Sequence, residues 1–178
     1  MLKRIAILGP ESTGKSYLAQ ALAAYYKSSY VAEYAREYID KIKRPYEEND
    51  LLQIAKGQLK LEDQLAKETP KYLFCDTELT VIDIWSKEKY GRTHPWIIAQ
   101  LEKRAYDLYL LCNIDMEWKE DHQRENPDDR EALLNLYRES LSQRSINYHL
   151  ISGQGTERTN HAIEIISKHE DKGNNKKV

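Results

Sequence analysis

Short apolar runs alternate with longer amphipathic stretches along almost the whole chain. Residues 3–8 (KRIAIL), 71–75 (KYLFC), 107–112 (DLYLLC) and 147–151 (NYHLI) read as buried strands, and 29–32 (SYVA) as a weaker one. After the first run, Leu18, Leu22 and Tyr25 recur at spacings of four and three, which predicts a helix over about residues 15–27. Residues 47–67 carry Leu52, Ala55, Leu59 and Ala66 on one helical face, with Leu51, Ile54, Leu61 and Leu65 beside it. Gly57 interrupts that stripe, and a mid-helix glycine costs about 1 kcal/mol relative to alanine. Further helices are predicted at about 78–90, 96–105, 129–144 and 157–168. Strands separated by helical crossovers specify an α/β fold, a parallel sheet with helices on both faces.

The 178 residues fit one domain, expected over 1–169. No repeat or flexible linker divides them, and the final residues 170–178 (EDKGNNKKV) lack apolar positions except the last and read as a disordered tail. Charged residues make up 31% of the chain at a net charge of −2, so no basic field points to nucleic acid as a partner. No apolar stretch approaches the roughly 20 residues of a membrane span, and the start is too soon interrupted for a signal peptide; a soluble, cytoplasmic protein is expected. Cys75 and Cys112 fall inside apolar strand runs, which suits buried thiols rather than a disulfide.

The stretch "GPESTGKS", residues 9–16, satisfies the pattern GxxxxGK[ST] between a strand and a helix. Gly9 and Gly14 let successive amides turn inward, and those amides with the helix N-terminus cradle phosphates. Lys15 reaches the β- and γ-phosphates and Ser16 ligates magnesium. Gly9, Glu11, Ser12, Thr13, Gly14, Lys15, Ser16 and Tyr17 form the expected ATP site. The fold class follows: a P-loop NTPase, three layers α/β/α around a five-stranded parallel sheet.

Three further groups are candidates for the chemistry. Asp76 ends a strand run and would emerge at the carboxyl edge of the sheet, where it can hold a magnesium-bound water or the attacking group; it would equally cap the next helix. Glu78 either shares that environment or serves the helix dipole. In "VAEYAREY", Glu33, Tyr34 and Arg36 follow the second strand and would face an acceptor, with a carboxylate to take a hydroxyl proton and an arginine to neutralise charge. The alternative is an i, i+3 surface pair. Trp118, Asp121 and Arg124 in "WKEDHQR" are spaced by three within a polar stretch at 113–130, read either as a helical lid that brings an arginine over the triphosphate or as a solvated loop. Arg130 is a second lid arginine.

Taken together, "GPESTGKS", "EYAREYI", "FCDTELTVIDIWSKEKYGRTHP" and "WKEDHQR" resemble, in order and separation, the ribosylnicotinamide kinase domain of the bacterial NAD-biosynthesis regulator NadR. The resemblance runs over about residues 3–168 and is to that domain standing alone; the regulator's DNA-binding segment and adenylyltransferase domain have no counterpart within it. It implies transfer of a phosphoryl group from ATP, with magnesium, to the ribose 5′-hydroxyl of nicotinamide riboside. It further implies that Lys15, Glu33, Asp76 and Arg124 are catalytic, and that Ser16 and Asp76 hold the metal. Glu33, Tyr34, Arg36, Asp76, Glu78, Trp118 and Asp121 would meet the acceptor. Family members that bind nicotinamide riboside sandwich its ring between a tryptophan just before the Glu-Tyr-x-Arg segment and a tyrosine in the following helix; Ala32 and Leu61 stand at those places here, with Tyr34, Tyr38, Trp85 and Trp96 as the other rings that could stand in for them. Two other readings fit the sequence: a kinase for another nucleoside or metabolite, and a nucleotide-dependent ATPase or switch module.

Overall fold

The computed structural model describes residues 2–124 and 128–174. Five strands, β1 (Lys3–Leu8), β2 (Ser29–Val31), β3 (Tyr72–Asp76), β4 (Leu108–Cys112) and β5 (His149–Ile151), form one sheet in the order β2-β3-β1-β4-β5. Every pairing is parallel, with Ile7 opposite Asp76 on one side and Leu110 on the other. Parallel pairing requires a crossover between consecutive strands. The crossovers are α1 (Lys15–Tyr25), α2 (Tyr34–Ile42) with α3 (Glu48–Glu68), α4 (Leu79–Tyr90) with α5 (Pro95–Lys103), and α6 (Arg130–Gln143); α7 (Gly155–Asn174) follows β5.

Alternation along the strands divides the core. Ile5, Ile7, Phe74 and Leu110 pack on one face against Leu18 and Leu22 of α1 and Ile166 of α7. Ala6, Leu8, Leu73, Cys75 and Leu111 point to the other face, against Ile84 of α4 and Leu134, Tyr137 and Leu141 of α6. A third cluster, including Ala35, Leu51, Ile54, Leu79 and Ile97, joins α2 to α5 beyond the sheet edge. Cys75 and Cys112 are buried free thiols.

Three expectations change. The segment after β2 is a helix of its own, because an extended Glu33 leads directly into Tyr34–Ile42. Residues 170–174 continue α7, where the Glu170 carboxylate accepts from the Tyr72 hydroxyl and pairs with Lys71; residues 175–178 lie outside the described residues. Between β4 and α6, the described residues 113–124 contain a turn at 122–123 and no helix. The chemistry of Gly57 also differs from a simple cost. It sits inside an unbroken α3 because the Tyr34 ring occupies its missing side chain's place, with Cε1 only 2.0 Å from where a Cβ would be.

Candidate functional site

The phosphate loop is shaped by backbone conformations that a side chain would oppose. Gly9 has φ 140°, and a Cβ there would lie 2.8 Å from the Cys112 carbonyl of the neighbouring strand. Gly14, at φ 77°, starts α1 without a side-chain cap and without an acidic residue in the first turn, so the helix N-terminus keeps its amides for an anion. Thr13 closes the loop by donating to the Pro10 carbonyl at 2.8 Å, and the Lys15 ammonium donates to the carbonyls of Gly9 and Pro10 at 2.9 and 2.8 Å. Ser12 ties the loop to the β4–α6 segment: its hydroxyl accepts from the Lys119 amide at 2.9 Å and donates to the Glu117 carbonyl at 3.3 Å.

Beside the loop, β3 delivers Asp76 into a buried position. Burial raises its carboxyl to about 6, helped by the Glu33 charge, while a hydrogen bond from Ser16 and the charges of Lys15 and Arg36 act the other way. Its Oδ1 is buried without a hydrogen-bond partner. A carboxylate with a free oxygen, bonded to the Ser16 hydroxyl at the foot of the phosphate loop, fits a magnesium ion that takes one or two protein oxygens and completes its shell with phosphate and water. The chain then turns sharply: Thr77 has φ 72°, a region costing a β-branched residue about 1–3 kcal/mol. Glu78 follows as the N-cap of α4, its carboxylate accepting from the Thr80 amide at 3.0 Å.

Across the site, α2 meets the β4–α6 segment through charge. Arg36 donates to Asp121 at 2.8 Å and pairs with Glu33 at 3.3 Å. Gln123 donates to the Arg36 carbonyl at 3.2 Å and to Asp40 at 2.7 Å. Arg124 donates to the Lys119 carbonyl and lies, with Arg130, over the Trp118 ring at 5.9 and 5.8 Å.

These pieces enclose a cavity of about 540 Å³. Every residue from Gly9 to Tyr17 lines it, as do Glu33, Arg36 and Arg124. Asp76 lies behind that wall and acts on it through Ser16. Besides Asp76, four more expected acceptor residues are not in the wall, each for a local reason. Tyr34 turns onto Gly57 while its amide donates to Gln58; Glu78 is spent on the helix cap; Asp121 is held by Arg36; and Trp118 lies under the two arginines. Asp121 opens a hydrogen-bonded turn at 121–124 rather than standing on a helical face.

The sequence reading missed two groups. Arg158 of α7 is 1% exposed and braces the site from below, donating to the carbonyls of Thr13 (2.9 Å), Gly153 (2.8 Å) and Asn113 (3.3 Å) and pairing with Asp115. An arginine in an amphipathic helix gives no sequence signal of that duty. The apolar far wall comes from Val81 and Ile84 on α4 and Leu133 and Tyr137 on α6, which periodicity alone reads as core; Trp85, one of the candidate replacement rings, joins them.

A family model described as "AAA domain" matches residues 4–158. The chain belongs to that family. Within it, the AAA-domain chain is 31% identical over 155 residues to the "Trifunctional NAD biosynthesis/regulator protein NadR" of Salmonella typhimurium, covering 83% of this chain and 37% of that protein. It therefore spans little more than a third of that relative's length. Crystal structures of NadR in complex with NAD and AMP-PNP and in complex with NR superpose with TM-scores of 0.78 and 0.77 at 19% and 20% identity, over 94% of this chain and about half of theirs. Thymidylate kinase from Ehrlichia chaffeensis superposes at 0.61 and 13% identity, over 93% of this chain and 97% of that one. The fold is that of the P-loop kinases. Among the described residues no helix is long and apolar enough to cross a membrane, and no group of three metal-ligating side chains forms a closed metal site.

Proposed function

We propose that the domain is an ATP- and magnesium-dependent kinase that phosphorylates the ribose 5′-hydroxyl of nicotinamide riboside, giving nicotinamide mononucleotide in the cytoplasm. The observation that carries this reading is that one cavity joins the phosphate loop to a region walled by apolar side chains of α4 and α6, with Glu33 and Arg36 between. A module that only bound or hydrolysed nucleotide would have no need of the second region. The similarity to NadR, with its named role in NAD biosynthesis and its complex with NR, favours the nicotinamide riboside acceptor.

In this reading the loop amides and Lys15 hold the β- and γ-phosphates. Ser16, with Asp76 behind it, would hold a magnesium ion, which would supply charge neutralisation at the transferring group. Glu33 lines the cavity and takes the proton of the 5′-hydroxyl as its oxygen bonds to the γ-phosphorus and the bond to the β–γ bridging oxygen breaks. Arg124, already in the wall, faces the developing charge, and the segment 113–124 closes as a lid that excludes water.

The test is incubation with ATP, magnesium and nicotinamide riboside. Mononucleotide and ADP form in equal amounts, and Lys15→Ala abolishes both. Folded protein that releases ADP with some other nucleoside and not with this one would assign a different acceptor; ADP release indifferent to every acceptor would sink the kinase reading.

A further inference from the structure

The acceptor end of the cavity carries a ring that belongs to neither place named in the family resemblance. Trp85 and Glu88 stand one turn apart on α4 and both line the cavity; a spacing of three puts them on the same helical face. The indole is fixed from outside. Its Nε1 donates to the Tyr46 hydroxyl at 2.8 Å, and the two rings meet edge to face, 4.8 Å between centroids at 69°. Tyr46 is anchored in turn, with the Lys89 ammonium 3.8 Å from its ring centroid and the Tyr90 hydroxyl donating to its carbonyl at 3.4 Å. With its only donor engaged, the indole offers the cavity an apolar π surface held in one orientation. The charges nearby are unequal. Glu33, Glu88 and Arg36 line this end, and Arg36 already has two carboxylate partners, Glu33 and Asp121.

We infer that Trp85 is the platform on which the acceptor's ring stacks and that Glu88 biases that platform toward a flat ring carrying positive charge. The inference rests on the kinase reading above and assigns the ring recognition that Ala32 and Leu61 cannot supply. A cation over an indole face gains from the ring quadrupole, most where water is excluded.

The experiment compares KM for nicotinamide riboside, whose ring is cationic, with KM for its dihydro form, whose ring is uncharged. Trp85→Leu raises KM for nicotinamide riboside about tenfold while kcat stays within about twofold, and Trp85→Phe falls between. Glu88→Gln narrows the preference for the cationic form about threefold and leaves KM for the dihydro form unchanged. AMP-PNP affinity, measured alongside well below the unfolding temperature, stays at the wild-type value for both positions, which a general loss of folding would not allow. A wild type active on nicotinamide riboside with unchanged KM in Trp85→Leu overturns the platform, and an unchanged preference in Glu88→Gln overturns the charge bias. A wild type that ignores nicotinamide riboside overturns the function reading itself.

Discussion

The Tyr34 ring and Gly57 share one space: a Cβ on the glycine would lie 2.0 Å from the ring, so α2 rests on α3 through the absence of a side chain. Alanine is the better helix former by about 1 kcal/mol, yet Gly57→Ala is expected to destabilise the domain by about 1–3 kcal/mol because the ring has to move. The double change with Tyr34→Ala should recover part of the loss. Urea denaturation of the four proteins gives the coupling, and strictly additive effects would count against this contact.

Asp76 should separate activity from stability. Its carboxyl is raised to about 6 by burial, above an ordinary value of 3.8. The folded state therefore holds this proton more tightly, and stability falls as pH rises from the lower value through the higher. Asp76→Asn is expected to abolish phosphoryl transfer and to add about 1–3 kcal/mol of stability at pH 8. Paired activity assays and denaturation curves read both effects.

Glu62 of α3 predicts a second pH dependence away from the cavity. It is fully buried, accepts from the Tyr106 hydroxyl at 2.8 Å and from Arg104 at 3.1 Å, and burial raises it from 4.5 to about 7. Stability should decline as pH rises across that window, as the group gives up a proton that the fold favours. Glu62→Gln keeps an acceptor for Tyr106 and should flatten melting temperature against pH between 5 and 8; an unchanged slope would assign the dependence elsewhere.

Arg158 predicts a nucleotide effect from outside the cavity wall. Arg158→Met leaves the buried Thr13 carbonyl and the partly exposed Asp115 carboxylate without this donor, and losing a hydrogen bond to a charged group costs about 1.5–3 kcal/mol. Arg158→Lys retains the charge without the planar fork and should weaken AMP-PNP binding with a smaller loss of stability. Isothermal titration at 15 °C, well below unfolding, separates the two. Equal affinity in wild type and Arg158→Lys would mean that the brace does not shape the loop.

Much of this arrangement was legible in the sequence, and the rest was hidden for identifiable reasons. Short apolar runs and the glycine pattern located five strands and the phosphate loop, because both signals are local. Crossover rules leave a handful of strand orders, of which the sheet adopts β2-β3-β1-β4-β5. The partners of Tyr34, Trp118 and Asp121 were not legible: each is set by a contact with a distant element, α3, α6 or α2. Helical spacing in "WKEDHQR" misled because the chain there takes a single turn. Val81, Ile84 and Trp85 carried an apolar signature that core and cavity wall share.

The bond between Arg158 and Thr13 spans 145 residues of chain. On a ribosome the phosphate loop is made 145 residues before the guanidinium that holds it from below. Until α7 has emerged and docked, a nascent chain can form most of the sheet but lacks this support for the loop. The loop thus gains its backing only when the far end of the domain has docked.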